Sequence, residues 1–157
     1  MGGGILPVSI YKGKLYFLFS REYINSKKDG GLWSDFGGSK EKNETFFQTA
    51  LREGYEESDN IIGSRKVIKK LMENNLQEIT INGYRTYIIL IKFDKDLPIK
   101  FRNKFLSVKN NKPQLIGKKG LYEKDMLKWY TYQDIKKNFK KFRPFYKNTI
   151  RNILSIF

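Results

Sequence analysis

The 157-residue chain contains no cysteine and no histidine. Without cysteine there are no disulfides, no thiolate nucleophile and no zinc site built on sulfur. Without histidine, Ser-His-Asp and Cys-His arrangements, imidazole general bases and the common transition-metal sites are excluded. Acid/base or metal chemistry must rest on carboxylates, whose oxygens suit hard cations such as magnesium or manganese. Long apolar runs are missing too: no run of about 18 apolar residues is available to span a bilayer. The first stretch, "MGGGILPVSIYKGKLYF", is interrupted by Pro7, Lys12 and Lys14 and does not have the pattern of a secretory signal.

Negative charge is scarce. There are 16 acidic residues against 31 basic ones, a net charge of +15, which predicts attraction to polyanions such as RNA, DNA, nucleotides or an anionic membrane. Lysine outnumbers arginine 24 to 7, a bias that A/T-rich coding would also give without selection for any partner, so both readings stand. The chain has the length of one ordinary domain and, at 39% hydrophobic and 15% aromatic residues, the composition of a globular one. A single domain over residues 1–157 is expected.

"GILPVSIYKGKLYFLFSRE" reads as a hairpin, two apolar runs joined at Lys12-Gly13. "KKDGGLWSDFGGSKEKN" is rich in glycine and reads as loop, with a short strand around Leu32 to Phe36. Thr45 and Gln48 form a capping box for a helix over Thr45 to Ser58. Tyr84 to Phe93 is the most strongly β stretch and is expected to be a central strand. Past Pro98, "IKFRNKFLSV" has helical spacing, and a short strand around Trp129 leads into a helix near Tyr132 to Asp134. In "RPFYKNTIRNILSIF", Phe145, Ile150, Ile153, Leu154 and Phe157 can share one helical face, with Pro144 in the first turn. Strands and helices intermix without a strict βαβ rhythm, which predicts an α+β or layered α/β/α domain with a mixed sheet.

Three of the few acidic residues, Glu53, Glu56 and Glu57, fall within five positions. On a helix they project together, and each like-charged pair costs about 0.2–0.5 kcal/mol unless a cation offsets it. Phe47, Leu51, Gly54 and Ser58 occupy another sector, suited to facing a sheet. The acidic face is then either solvated and neutralised by lysines or open to a cleft.

The spacing decides in favour of the cleft: Gly38, five residues, Glu44, seven residues, Arg52-Glu53, two residues, Glu56-Glu57. This resembles the signature of the Nudix hydrolases at six glycine or polar positions. Gly54 stands where the family has an apolar residue, Asp59 where it has glycine and Asn60 where it has an apolar residue. Glycine inside a helix costs about 0.5–1 kcal/mol relative to alanine but lets the turn approach the sheet closely. Asp is tolerated in the left-handed conformation that the family's glycine supplies. The aspartate of "WSDFGGSKE", where many relatives have proline, resembles Nudix proteins of large DNA viruses.

The resemblance implies a Nudix-type α/β/α sandwich with a mixed central sheet. It also implies hydrolysis of a pyrophosphate bond in a nucleoside diphosphate linked to another moiety, with Mg2+ or Mn2+. By carry-over, the Gly37 carbonyl and the carboxylates of Glu53, Glu56 and Glu57 hold the metals, with Glu57 central, Glu53 first choice as general base and Arg52 orienting a neighbouring glutamate. Glu44 acts structurally near the helix start. A further metal-site carboxylate is sought in Glu123 or Asp125, whose alternative role is that of exposed loop charges. Arg21 is a candidate for substrate phosphate or an ordinary ion pair, and Phe36, Trp33 and Tyr84 are candidates for stacking a base or for the core.

For the substrate, the basic and aromatic run "KKNFKKFRPFYK", with Lys136, Lys137, Lys140, Lys141 and Arg143 as a nucleic-acid surface, points to an RNA 5′-end or mRNA cap and to single-stranded RNA as a partner. The alternatives are a small-nucleotide pyrophosphatase, acting on a damaged nucleoside triphosphate or a dinucleoside polyphosphate, and a non-catalytic RNA-binding module. No membrane association is expected, and the expected location is cytoplasmic, the host cytoplasm if the protein is viral.

Overall fold

The computed structural model describes the backbone of residues 1–157 and every side chain except that of Lys119. β1 (Gly2–Tyr11) and β2 (Lys14–Glu22) form the expected hairpin. Its two-residue turn has positive φ at Lys12 (49°) and Gly13 (76°), the primed-turn geometry that matches strand twist. β1 runs parallel to β6 (Tyr84–Leu90), from Gly2 opposite Tyr84 to Val8 opposite Leu90. Its other edge is shared: Gly2 to Ile5 pair with β4 (Phe36–Ser39), and Val8 to Tyr11 with β2.

β1 and β2 therefore splay apart at one end. Beyond the splay, β2 pairs with β3 (Trp33–Ser34) on one edge and with β7 (Lys124–Tyr130) on the other. Asp35 is the single residue between β3 and β4, where the chain crosses from β2 to β1. β5 (Gln77–Ile81) closes the outer edge of β6 through a second primed turn, Asn82 (φ 50°) and Gly83 (φ 77°). The expected interior position of the Tyr84 stretch holds, since β6 lies between β1 and β5.

Helices cover both faces. α1 (Phe46–Ser58), α2 (Arg65–Glu73) and α3 (Leu97–Asn111) enclose a core with Ile5, Leu18, Phe36, Tyr87 and Ile89. α4 (Tyr132–Lys137) and α5 (Lys147–Ile156) enclose the other with Leu6, Val8, Phe17, Phe19 and Ile88. Burial on both faces explains why these strands read as continuous apolar runs rather than alternating ones. None of the described helices is long and apolar enough to cross a membrane.

The C-terminal helix departs from the sequence pattern. Pro144–Tyr146 is a 3₁₀ turn and α5 starts at Lys147. Phe145 thus falls outside the helix and stays 43% exposed, while Tyr146 takes the buried place.

Candidate active site

α1 lies over β1 and β4. Thr45 and Gln48 form the reciprocal capping box at its start, and the helix ends at Asp59 in the left-handed conformation (φ 51°). Asp59 accepts an ion pair from Lys104 at 3.2 Å. A Cβ on Gly54 would come within 2.8 Å of the Ile5 side chain, so this glycine sets how closely the helix rides on the strand. Close packing aims Glu53 and Glu57 into the splay between β1 and β2, where both are almost wholly buried.

The acidic side chains meet the backbone of β4. Glu57 Oε2 accepts the Gly37 N–H at 2.9 Å. A Cβ on Gly38 would lie 2.5 Å from the Glu53 carboxyl carbon, so only glycine leaves room for that carboxylate. Arg52 donates Nε and Nη2 to the two oxygens of Glu44 (2.8 and 2.9 Å), Nη1 to Glu53 (2.8 Å) and Nη2 to the Ser39 carbonyl (3.0 Å). It ties the start of α1, β4 and Glu53 into one unit. Glu44 accepts in addition from the Glu41 N–H and the Thr49 hydroxyl; these bonds, Arg52 foremost, hold its carboxyl down at about 2.

Glu123, from the loop before β7, brings its carboxyl beside Glu57, and Glu56 faces Gly120 of the same loop. Asp125 does not join them. It is fully buried and takes Arg21 bidentately (2.8 and 3.0 Å) and the Ile24 N–H (2.8 Å). Arg21 is thereby committed to locking β2 to β7 and is not free for a phosphate.

The base-stacking candidates are also corrected. Phe36 is fully buried under α1 and Trp33 packs on Tyr130. Tyr84 is 9% exposed and spends its hydroxyl on Asp35 at 2.6 Å. Burial leaves no open face for a base on any of the three.

Of the basic run, Lys136, Lys137, Lys140 and Lys141 are exposed, but Arg143 turns inward. It pairs with Glu22 (3.2 Å) and Asp29 (3.0 Å) and lines two cavities of about 230 and 330 Å³ that flank the acidic cluster.

Two buried charges carry no obvious mark in the sequence. The Lys124 side chain has no solvent exposure, and its ammonium lies 2.9 Å from Glu22 Oε2, 3.1 Å from the Ser34 hydroxyl and 3.7 Å from Glu57 Oε2. Burial would push its pKa down, but Glu57 and Glu22 outweigh burial and raise it. Glu22 Oε2, though within reach of that ammonium, lacks hydrogen-bond geometry to any donor. Asp35 is likewise fully buried, under Tyr84 and Thr86.

The electrostatics show a centre short of positive charge. Burial lifts Glu53 to about 7, against the pull of Arg52. It raises Glu56 and Glu123, and Glu57 well above the carboxylate range despite Lys124. Arg52 and Lys124 stand among the carboxylates, and no three acidic groups among the described residues converge on one point. The donor set nevertheless fits a hard divalent cation in kind and charge: oxygens only, on carboxylates held up by burial. Glu53, Glu56, Glu57 and Glu123 could supply such ligands.

The fold matches solved structures along nearly its whole length. A C. elegans Ap4A hydrolase, in a binary complex, superposes with a TM-score of 0.58 at 16% identity, covering 99% of this chain and 95% of that one. The Nudix hydrolase RenU from M. smegmatis gives 0.53 at 15% identity, covering 99% and 84%. The chain has the Nudix fold. The segment that resembles the Nudix signature lies on α1 and the residues before it, at the splay of the sheet. No protein-family model matches the sequence. An uncharacterized protein of Acanthamoeba polyphaga mimivirus is 47% identical over 97 residues, covering 60% of this chain and 30% of that protein. The chain thus matches less than a third of that relative's length.

Proposed function

We propose that this Nudix domain is a divalent-metal-dependent pyrophosphohydrolase acting on a nucleoside diphosphate linked to another moiety. The observation that carries it is the placement of Glu57 on the Gly37 N–H and of Glu53 against Gly38, between two cavities that share Arg143 and Lys28. Glu57 would be the central holder of Mg2+ or Mn2+, with Glu53, Glu56 and the Gly37 carbonyl beside it and Glu123 in support. A bound cation offsets charge on the diphosphate oxygens and acidifies a water. Glu53 would take the proton of the attacking water as the bridging P–O bond breaks to the phosphate leaving group. Arg52 fixes the Glu53 carboxylate, and Gly37 fixes Glu57.

RNA 5′-ends are the leading substrate class. Lys136, Lys137, Lys140 and Lys141 are exposed on the segment that runs on to Arg143 in the cleft, which supports a backbone track ending at the acidic cluster. A small nucleotide is the second reading, favoured by the modest cavities. Release of phosphate or nucleoside monophosphate from a panel of both substrate types, with and without Mg2+ or Mn2+, tests the proposal. Glu57→Gln should abolish turnover while leaving the circular-dichroism spectrum unchanged. More than about a tenth of the parent rate would remove Glu57 from its role, and a folded parent with no metal-stimulated release from any substrate would overturn the hydrolase reading.

A further inference from the structure

We infer that the cavity beside Gly38, lined by Asn82, Tyr84, Arg143 and Phe145, seats an uncharged nucleobase stacked on Phe145. The inference rests on the hydrolase reading above for the position of the diphosphate.

Phe145 is a large apolar side chain left 43% exposed, yet it is not loose. Its ring meets Tyr84 edge-on at 5.1 Å and 67°, and Tyr146 at 5.8 Å and 64°. The Arg143 guanidinium lies 4.8 Å from its centroid. A ring braced in this way stands at the cavity with its orientation already fixed, so little side-chain freedom remains to be lost on stacking. The sequence pattern placed Phe145 on the apolar face of a helix; the 3₁₀ turn at Pro144–Tyr146 instead rotates Tyr146 into the core and turns Phe145 out to the cavity.

Location supports a nucleoside here. Gly38, in the cavity wall, is the residue whose missing Cβ makes room for Glu53, so the cavity opens next to the carboxylates. Lys28 and Arg143 line both this cavity and its neighbour, which contains Glu22 and Glu123. A diphosphate lying along the wall the two cavities share, beside Lys28, would place one moiety in each cavity. At about 230 Å³ the first lies below the roughly 300–1,000 Å³ of pockets that enclose a drug-sized ligand, and suits a single base.

The charge of the wall selects among bases. Lys28 and Arg143 line it and no aspartate or glutamate does. A base with a fixed positive charge, such as 7-methylguanine, would meet Lys28 beside an Arg143 already paired with Glu22 and Asp29, whereas a neutral base would meet no such repulsion from Lys28. Asn82 and Ser39 offer polar groups to its edge.

The test is binding to the full chain in EDTA, measured by calorimetry, with AMP, GMP, 7-methyl-GMP and ribose 5-phosphate. AMP and GMP should bind more tightly than ribose 5-phosphate. Phe145→Ala should weaken the nucleotides about tenfold, within the range of base–aromatic stacking, and leave ribose 5-phosphate unchanged; Phe145→Trp should restore them. 7-Methyl-GMP should bind at least several-fold more weakly than GMP. Nucleotide affinity indifferent to Phe145→Ala, or no preference over ribose 5-phosphate, would overturn the pocket, and 7-methyl-GMP binding as well as GMP would overturn its preference for a neutral base. Because binding without metal needs no turnover, the two readings fail separately. A chain inactive on every substrate that still shows Phe145-dependent binding keeps the pocket and loses the hydrolase, and an active chain with Phe145-independent binding does the reverse.

Discussion

Asp35 has no solvent exposure, and burial raises its carboxyl to about 6 against the opposing hydrogen bonds of Tyr84 and Thr86 and the charges of Lys124 and Arg143. Its unfolded value is near 3.8, so the folded chain holds the proton more tightly than the unfolded one. Stability from this group is therefore complete below about pH 4 and is lost as pH rises through about 6, a swing on the order of 3 kcal/mol. Urea denaturation at pH 5 and pH 8 should show Asp35→Asn losing less stability across this interval than the parent. Equal losses would mean that the folded-state carboxyl is not raised and is already charged in the fold at pH 5. Glu53 gives a second residue-scale prediction: Glu53→Gln should lower kcat by about 10²-fold or more if its carboxylate is the base, and a pH–rate profile unchanged in height and shape would move that role to Glu123. The carboxylates of α1 are legible in the sequence because a helix fixes their relation at three- and four-residue spacing. Lys124, Arg143 and Phe145 are not, because they reach the cleft through contacts to residues tens of positions away.

Among elements, β4 is too short and too rich in glycine to read as a strand; only its pairing to β1 defines it. The Gly38 backbone is not left-handed, and its glycine is required by the Glu53 carboxylate alone. Gly38→Ala should thus keep the fold but push that carboxylate aside. A displacement of about 1 Å at a reacting group can cost 10²-fold, so kcat should fall at least tenfold while the thermal midpoint changes by only a few degrees; an unchanged kcat would separate Glu53 from the chemistry. α2 and β5 escape the sequence reading even though Ser64 caps the first and Asn82-Gly83 turns the second. α2 is only nine residues long, though Ile68 and Met72 form a buried stripe on it, and β5 lies at the sheet edge with only Ile79 buried. The β1–β2 hairpin, α1 and α3 are legible because local turn, cap and propensity signals agree with the packing that buries them.

At the scale of the whole molecule the charge of +15 distinguishes the two substrate readings. If the exposed lysines of α4 and the turn after it track an RNA backbone, affinity for single-stranded RNA should fall with salt at a log-log slope of about −0.7 per phosphate contacted. Changing Lys136, Lys137, Lys140 and Lys141 to glutamine should then slow cleavage of a 5′-phosphorylated RNA far more than cleavage of a free nucleotide that never reaches them. Equal effects on both would make these lysines solubilising charges and leave the small-nucleotide reading.

The splay that holds the candidate site also sets the order in which the chain can be assembled. β1 comes from residues 2–11, but its parallel partner is β6, so Gly2 waits for Tyr84. Only the β2 half of its other edge can be closed locally. Pairings of such sequence separation slow folding and leave apolar strand edges open in the interim. During synthesis the β1–β2 hairpin therefore emerges before its sheet partners, and the cleft between β1 and β2 takes shape only after β4, β6 and β7 have followed it.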